Sequence, residues 1–359
     1  MAKYDIKQLL MEKAPMINSI IKKYIPEKYD KESMIFAAGK ARYEYNIEAP
    51  NVAIAEPIWE FLNRGGKRWR PSLFLLILEA LGGDVKKVSD YAIIPEVVHN
   101  GTLMIDDLED SSLERRGKPC TYILYGTDIA VNAGNMMYYL PLLPLIKNVG
   151  NLPCETRLKI YNTYSQEMIN LSLGQAMDIA WHKGMANADA VSEAEYLQMC
   201  AYKTGTLARM SAKIAAILSN ANDDTVEKIG RFAEAIGVAF QIQDDILNLT
   251  SEEFASKKGG FGEDITEGKR TLMVIHMLKK ASEPDRKRLI EILNMHTTDQ
   301  KLRDEAIALL KKYGTIDYAK EYARKLLVEA WAETDKVLRP SEAKEKLRAF
   351  ADYLVERKI

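Results

Sequence analysis

The sequence is poor in the features that mark several common classes of protein. Lys and Arg together number 50 against 51 Asp and Glu, so the chain lacks the cationic excess that binds nucleic acid by bulk charge. Its cysteines, Cys120, Cys154 and Cys200, show no CxxC spacing, which argues against a disulfide framework and a zinc site. No Ser-His-Asp or Cys-His set with a readable spacing occurs, so covalent catalysis is not indicated.

Long apolar segments are missing as well. The longest apolar stretch, at 136–146, contains two prolines and is too short to span a bilayer. The chain begins Met-Ala-Lys-Tyr-Asp, without a cleavable apolar signal. These observations predict a soluble, cytoplasmic protein.

The alternation of apolar and polar residues that is typical of β-strands is not found, and helical periodicity dominates instead. No Gly-, Ser- or Pro-rich linker divides the chain, which predicts a single all-helical domain over residues 1–359 and an all-α bundle with a central cavity. Residues 1–50 carry no readable chemical motif and are expected to form an N-terminal helical extension. The amphipathic segments lie at about 5–25, 52–63, 71–81, 157–181, 193–219, 270–280, 302–312 and 317–336.

Two pairs of adjacent aspartates interrupt apolar helical segments. Asp106 and Asp107 end one such segment, with Asp110 one turn further on, and Asp244, followed by Asp245, falls on the apolar stripe of another. Neighbouring carboxylates repel each other, and their burial without partners is costly. Clustered carboxylate oxygens with room for water are, however, what a magnesium site for a phosphate needs. The two clusters therefore predict a diphosphate held between helices through bridging cations.

Two basic segments accompany the acidic pairs. Residues 65–71 place three cations behind two glycines, and residues 111–119 place three more directly after the first acidic pair. An exposed basic turn would explain the first segment, and neutralisation of Glu109 and Asp110 would explain the second. Their joint occurrence favours two anionic ligands, one held through metal and one held directly by Arg and Lys. A Gly-rich loop with lysines, at 251–268, follows the second acidic pair and is expected to act as a lid.

Taken in order, these motifs resemble those of the trans-isoprenyl diphosphate synthases, which make geranylgeranyl and longer polyprenyl diphosphates. The resemblance covers roughly residues 60–280; each motif is common, but the ordered set is highly specific. The matching motifs are Gly-Gly-Lys-Arg-Trp-Arg-Pro at 65–71, Glu96-Val-Val-His99, Asp-Asp-Leu-Glu-Asp at 106–110, Arg-Arg-Gly-Lys-Pro at 115–119, Gly174-Gln175-Ala-Met-Asp178, Lys203-Thr204, Phe240-Gln-Ile-Gln-Asp-Asp245 and Glu267-Gly-Lys269.

The resemblance implies an isoprenoid synthase-type helical bundle, a homodimer, and a role for each matched residue. The expected ligands of three Mg²⁺ ions on the allylic diphosphate are Asp106, Asp107, Asp110, Asp244 and Asp245. The expected direct contacts to the same diphosphate are Arg115, Lys203, Thr204, Gln241, Lys258 and Lys269. The expected isopentenyl diphosphate site consists of Lys67, Arg70, His99 and Arg116. The aspartates together with Lys203 and Lys269 would carry the chemistry.

The chain departs from the family pattern at three places. Asn248 stands where many members have a third Asp of the second cluster, and Asn135 follows Gly134 where a Gly-Asp pair is usual. The lid lysine is displaced by about one residue, so that Lys258 is preferred to Lys257. None of these departures removes an aspartate pair, and an active enzyme is therefore expected.

Product length in this family would depend on the depth of an apolar pocket. The growing tail would run from Asp106 past Thr102, Gly101 and Val98, where shorter-chain members often carry aromatic residues at the positions of Gly101 and Thr102. Both residues are small here, so we expect a product of twenty carbons or longer. Gly101→Phe should then shorten it. Residues 136–139 would supply a deeper floor.

Three other readings stay open at this point. Head-to-head prenyl synthases share the Asp-Leu-Glu-Asp string at 107–110, but they and terpene cyclases need no isopentenyl diphosphate site. A non-catalytic subunit of a prenyl synthase would be expected to lose the acids that this chain keeps. No nucleic-acid partner is expected, and membrane contact would serve only product release.

Overall fold

The structure, a computed structural model, describes residues 4–251 and 261–356. Lys257 and Lys258 lie outside the described residues, together with the rest of the first half of the predicted lid, at 252–260. Within these ranges the chain is predominantly helical, which confirms the predicted all-α fold. The exception is a small hairpin that was not predicted, in which β1 (Glu114–Arg115) pairs with β2 (Lys118–Pro119) in antiparallel register.

The first half of the chain contributes eleven helices among the described residues. They are α1 (Ile6–Tyr24), α2 (Lys31–Ala38), α3 (Glu48–Pro50), α4 (Glu56–Leu62), α5 (Trp69–Ala80), α6 (Val85–Val88), α7 (Ile93–Glu109), α8 (Thr121–Tyr125), α9 (Thr127–Tyr139), α10 (Leu143–Ile146) and α11 (Cys154–His182), together with a π-helical turn at Asn51–Ala55 and 3-10 turns at Ser89–Ala92 and Leu140–Leu142.

The second half continues the helical pattern. Its elements are a 3-10 turn at Ala188–Ala190, α12 (Glu193–Cys200), a π-helical turn at Ala201–Gly205, α13 (Thr206–Leu218), α14 (Asp223–Thr250), α15 (Glu263–Thr266), α16 (Leu272–Lys280), α17 (Glu283–Asn294), α18 (Gln300–Lys312), α19 (Thr315–Asp335) and α20 (Glu342–Glu356). The eight amphipathic segments read from the sequence all fall on helices, and α2 lies in the predicted N-terminal helical extension. The helices that were not predicted are α6, α8, α10, α15, α17 and α20.

The chain forms two compact units. The first unit comprises Met1–Asn162, Ser211–Asn222 and Pro340–Leu347, and the second comprises Thr163–Met210, Asp223–Arg339 and Arg348–Ile359. In the first unit, α7 lies against α9, α5 and α1 and buries its apolar residues. In the second unit, α14 packs along α19, where the rings of Phe232 and Trp331 meet at 5.3 Å in an edge-on arrangement. The single domain over residues 1–359 stays a prediction.

The apolar stretch around α9 is longer than expected from the sequence. Among the described residues, Thr127–Ile146 is long and apolar enough, by length and composition, to cross a membrane. Half of it is buried inside the protein, and prolines interrupt it at Pro141 and Pro144. One such stretch is weak evidence for a span, because the core helix of a soluble protein has the same length and composition.

Candidate active site

The first acidic cluster lies in the last turn of α7. Asp107 is fully buried, Asp106 is half-buried, and Asp110, which caps the helix, is exposed. The Asp110 N–H donates to the Asp106 carbonyl at 2.9 Å, which keeps the helical spacing up to the last acid. Carboxylates at the negative end of a helix dipole are electrostatically unfavourable, so this arrangement calls for nearby cations.

One cation comes from the hairpin that follows. Nε of Arg115 donates to Oδ1 of Asp107 at 2.6 Å, and Nη2 lies 3.7 Å from Oδ2 of Asp106. Burial raises the pKa of Asp107 despite the opposing charge of Arg115 and the thiol of Cys120 beside it. Oδ2 of Asp107 is buried without a hydrogen-bond partner anywhere in the described parts of the chain. One oxygen of this carboxylate is therefore held by Arg115, while the other is suited to accept a cation.

The same cluster is not a preformed metal cage. No group of three or more His, Cys, Asp or Glu side chains among residues 4–251 and 261–356 is arranged so that it could hold a metal ion. Mg²⁺ commonly keeps several waters and binds through one or two carboxylates plus substrate phosphates, so it needs no such cage. The undersatisfied oxygen of Asp107 and the all-oxygen donor set fit this mode of binding.

The basic turn at 65–71 is anchored by a residue that the sequence analysis did not assign. Arg68 adopts a left-handed conformation with φ 49°, and its buried guanidinium binds Oε1 of Glu96 on α7 at 2.6 Å. Glu96 also accepts a hydrogen bond from Nδ2 of Asn100 at 3.0 Å. Of the predicted site residues in this turn, Lys67 is exposed and Arg70 is buried at the start of α5. Arg68 therefore fixes the turn that presents them.

A second basic residue reaches this turn from the hairpin. Arg116 and Gly117 connect β1 to β2 with φ values of 55° and 74°, as in a type I′ turn. The guanidinium of Arg116 donates to the Gly65 carbonyl and, at 3.4 Å, to Oδ1 of Asn100. Left-handed backbone is unfavourable for arginine, and such strain is common at functional sites.

His99 lies among these cations. Burial, followed by the charges of Arg70, Arg116, Arg115 and Arg68, lowers the pKa of His99 well below its usual value. A neutral imidazole can donate one hydrogen bond without adding to the repulsion among the guanidinium groups. The structure thus brings together three of the four predicted isopentenyl diphosphate contacts, Arg70, His99 and Arg116, in a region of strongly positive charge.

The second acidic cluster lies on α14 in the second unit. The apolar stripe was expected to lead to Asp244, but Asp245 is the buried member of the pair, at 6% exposure, and Asp244 is half-buried. Oδ1 of Asp245 accepts from Nε2 of Gln241 at 2.8 Å, and Oδ2 accepts from the hydroxyl of Tyr196 at 2.6 Å. Burial and then the negative charge of Asp264 raise the pKa of Asp245.

Both predicted lysines of the second unit are paired with acids. Nζ of Lys203 lies 2.5 Å from Oδ2 of Asp178 on α11. Lys269 pairs with Glu267, and its Nζ lies 3.5 Å from Oδ1 of Asp264. Burial opposes the charged form of Lys269, but Asp264 and Glu267 raise its pKa well above the usual value, so it stays cationic.

Lys203 and Thr204 lie on the π-helical turn between α12 and α13. The turn can form here because Gly174 of α11 leaves room for it: a Cβ at position 174 would lie 2.4 Å from the backbone nitrogen of Lys203. Oγ1 of Thr204 then donates to Oε1 of Gln241 at 2.9 Å. π-helical turns inserted in helices are often found at functional sites. Gly174 belongs to a motif quoted from the sequence, and its structural role is this close approach.

Asn248, the departure from the family's third aspartate, has a structural role. Its side-chain Oδ1 accepts from the backbone N–H of Asp264 at 3.2 Å, and its carbonyl accepts from the N–H of Gly262 at 3.1 Å. Asn248 is buried, and so is Asp264. A third acid thus lies close enough to raise the pKa of Asp245, and it comes from the following segment rather than from position 248.

The residues expected to set product length occupy different environments. Val98 is fully buried and Thr102 is half-buried, with Oγ1 donating to the His99 carbonyl at 2.8 Å. Gly101 packs directly against α9, since a Cβ there would lie 2.9 Å from the Gly134 carbonyl oxygen and 3.1 Å from the ring of Tyr138. The assignment of these residues to a chain-length pocket stays a prediction, but Gly101 is first of all a helix-packing residue.

Sequence reasoning missed two polar residues of this region. Tyr196 lies on the apolar face of α12 with Met199 and Cys200, three and four residues further on. A tyrosine in such a pattern is predicted to be an ordinary aromatic residue of the core. Asp264 lies in the predicted lid loop at 251–268, and its distance from Asp245 along the chain gives no signal of contact. Their spacing from Lys203 and Lys269, seven and five residues respectively, is the signal that could have suggested them.

Comparisons with known proteins confirm the predicted isoprenoid synthase-type fold and match the chain to one protein family. The family described as polyprenyl synthetase matches residues 51–310. A short chain isoprenyl diphosphate synthase of Methanothermobacter thermautotrophicus is 35% identical over 296 residues, which cover 82% of this chain and 88% of that protein. A geranylgeranyl diphosphate synthase of Sulfolobus acidocaldarius is 31% identical over 304 residues, covering 84% and 90%. The crystal structure of geranylgeranyl pyrophosphate synthetase from Pyrococcus horikoshii superposes with a TM-score of 0.84 at 31% identity, over 98% of this chain and 99% of that one.

Proposed function

Because the chain belongs to the polyprenyl synthetase family and is a prenyltransferase of the trans-isoprenyl diphosphate synthase type, we propose that it condenses isopentenyl diphosphate with an allylic diphosphate. The reaction would proceed by ionisation, condensation and elimination. Its product would be an all-trans polyprenyl diphosphate of twenty carbons or more.

The observation that carries this proposal is the state of Asp107. Its carboxylate lies in the acid motif that matches the family, is fully buried, and has Arg115 on one oxygen. The other oxygen is buried without a hydrogen-bond partner among the residues that the structure describes. A buried, half-satisfied carboxylate beside two further acids is suited to a divalent cation that itself carries a diphosphate.

Mg²⁺ bound at Asp106, Asp107, Asp110, Asp244 and Asp245 would supply positive charge against which the allylic diphosphate can leave. Lys203 and Lys269 would add fixed positive charge at the same group, and Thr204 and Gln241 would orient it by hydrogen bonds. Both lysines are already held in place by acids, Asp178 for Lys203 and Asp264 for Lys269. Little reorganisation would therefore be needed as negative charge develops on the leaving group.

The second substrate would be held in the first unit. Arg70, Arg116 and exposed Lys67 would bind the diphosphate of isopentenyl diphosphate, and neutral His99 would donate one hydrogen bond to it. The allylic C–O bond breaks, the double bond of isopentenyl diphosphate forms the new C–C bond, and a proton is lost to the departing diphosphate. No side chain acting as a dedicated base is required in this scheme.

The proposed product length rests on the family and on the small residues near the first acidic cluster. Relatives named geranylgeranyl diphosphate synthase support a product of twenty carbons, and the small side chains of Gly101 and Thr102 are consistent with a long tail. A homodimer, three Mg²⁺ ions per site and a cytoplasmic location are proposed on the same family basis.

The test is a product assay with Mg²⁺, labelled isopentenyl diphosphate and, in turn, each allylic primer from five to twenty carbons, analysed by mass. The proposal predicts extension of primers up to one product length of twenty carbons or more. Folded protein that extends none of them would point instead to a non-catalytic subunit. Conversion of a primer without uptake of isopentenyl diphosphate would point to a cyclase or a head-to-head synthase.

A further inference from the structure

Tyr196, in the second unit, contacts the second acidic cluster. Neither the sequence motifs nor the proposed roles explain this contact. Tyr196 lies on α12, is only 2% exposed, and donates its hydroxyl hydrogen to Oδ2 of Asp245 on α14 at 2.6 Å. The other oxygen of the same carboxylate accepts from Gln241 at 2.8 Å. Both oxygens of Asp245 are thus tied, which fixes the orientation of its carboxylate.

The contact extends a chain of hydrogen-bonded side chains that includes two of the proposed diphosphate contacts, Thr204 and Gln241. Helix α12 runs from Tyr196 directly into the π-helical turn with Lys203 and Thr204. Thr204 donates to Gln241 at 2.9 Å, and Gln241 in turn donates to Asp245. One continuous segment, α12 followed by the π-helical turn, therefore carries both the hydroxyl that orients the acid and the lysine and threonine proposed to touch the diphosphate.

We infer that Tyr196 is a positioning residue, which holds the Asp245 carboxylate in the orientation needed for Mg²⁺ and diphosphate. The inference rests on the proposed function. Mg²⁺ demands nearly ideal octahedral geometry, so the direction of its carboxylate ligands, or of carboxylates that bind its waters, matters for affinity. Hydrogen bonds that orient such ligands typically change metal affinity by about 10–100-fold when removed.

A purely structural role for the hydroxyl is the alternative. A buried tyrosine hydroxyl needs a partner, and Asp245 could serve simply as that partner. In that case, removing the hydroxyl would change stability but leave the dependence on Mg²⁺ as it was. A positioning role therefore predicts a change in the dependence on Mg²⁺, whereas a structural role predicts a change in stability alone.

The test compares Tyr196→Phe with Tyr313→Phe. Tyr313 belongs to the same unit and donates to Oδ2 of Asp285 at 2.6 Å, so the control removes a tyrosine–aspartate hydrogen bond of equal length that has no part in the proposed site. Calorimetry measures the binding of inorganic diphosphate at a series of Mg²⁺ concentrations. Steady-state assays give the Mg²⁺ concentration for half-maximal rate and the KM of each substrate.

For Tyr196→Phe we expect at least a roughly tenfold rise in the Mg²⁺ concentration needed for diphosphate binding and for half-maximal rate, with an unchanged KM for isopentenyl diphosphate. Tyr313→Phe should match the wild type in each. p-Aminophenylalanine at position 196 keeps a donor in the same place and should restore most of the loss. If Tyr196→Phe does not fold, p-methylphenylalanine at 196, which fills the space of the hydroxyl without a donor, replaces it.

The inference would be overturned if the wild type and the donor-free variants depended equally on Mg²⁺. It would also be overturned if Tyr313→Phe raised the Mg²⁺ requirement as much as Tyr196→Phe does. Failure of the proposed function would look different. There the wild type itself would form no product with any primer or would bind diphosphate without regard to Mg²⁺, whatever the variants did.

Discussion

Arg68 and Glu96 form a buried ion pair, with 2.6 Å between Nη1 and Oε1, that ties the basic turn at 65–71 to α7. The guanidinium also donates to the Leu62 carbonyl at 3.2 Å, so it is satisfied from two sides. The pair lies next to the residues proposed to bind isopentenyl diphosphate. A residue that touches no substrate in this account therefore sets the conformation of those that do.

Arg68→Ala is expected to destabilise the protein by about 3–5 kcal/mol, because it leaves the Glu96 carboxylate buried without its charge partner. Where the variant still folds, the KM for isopentenyl diphosphate should rise more than that of the allylic substrate. Chemical denaturation and steady-state kinetics measure the two effects. Lys287→Ala is the control: it removes an ion pair to Glu283 whose side chains are 77% and 67% exposed, and stability should stay within about 0.5 kcal/mol.

Gly174→Ala is expected to disturb the π-helical turn, since the added methyl group would lie 2.4 Å from the Lys203 backbone nitrogen. We expect a loss of about 1–3 kcal/mol of stability and a raised KM for the allylic diphosphate. Gly205→Ala is the graded comparison, because its added methyl group would lie 3.3 Å from Cγ and from the backbone carbonyl oxygen of Glu234, so a smaller loss of stability than for Gly174→Ala is expected. A Gly174→Ala protein with wild-type stability and allylic KM would contradict this account of the turn.

Asn248→Ala should cost about 1–3 kcal/mol, because it leaves the buried N–H of Asp264 without an acceptor. The Mg²⁺ concentration needed for activity should also rise, because the segment with Asp264 and Lys269 loses its hydrogen bond to Asn248. Asn248→Asp keeps the acceptor and restores the more usual family residue, so it should retain activity at saturating Mg²⁺. Melting curves and Mg²⁺ titrations of the two variants provide the measurement, and identical behaviour of both would argue against an anchoring role.

Thr102→Phe is a cleaner probe of product length than Gly101→Phe. An aromatic ring at position 101 would have to displace the backbone of α9 at Gly134, so a large loss of stability is expected there. Thr102 is half-buried and gives up only a hydrogen bond to the His99 carbonyl. We expect Thr102→Phe to fold and to make a shorter product, as read by mass analysis. An unchanged product from the folded variant would remove Thr102 from the chain-length pocket.

Sequence patterns predicted much of the fold and the positions of the acidic clusters. Helical periodicity located α5, α7 and α14, because each buries a continuous apolar face, and an acid on such a face is conspicuous. Periodicity could not show which acid of a pair is more deeply buried: Asp245 rather than Asp244 is enclosed, by contacts from α12.

Contacts between distant segments account for the other differences. Gly101 reads as a small pocket residue in the sequence, yet its environment is decided by α9. Arg68 reads as one more cation of a basic turn, and only its contact with Glu96 separates it from Lys67 and Arg70. The hairpin of β1 and β2 is too short to produce an alternating pattern.

The most direct test of the account is Mg²⁺-dependent incorporation of labelled isopentenyl diphosphate by the wild type and by Asp107→Asn. The substitution keeps the size of the side chain and removes the charge that would bind the cation. Asp285→Asn is the control, because Asp285 is an acid of the second unit bound to Tyr313 and Lys312. We predict product only when Mg²⁺ is present, a loss of about 100-fold or more in Asp107→Asn, and a wild-type rate in the control. Incorporation in excess chelator, or a wild-type rate from Asp107→Asn, would contradict the account.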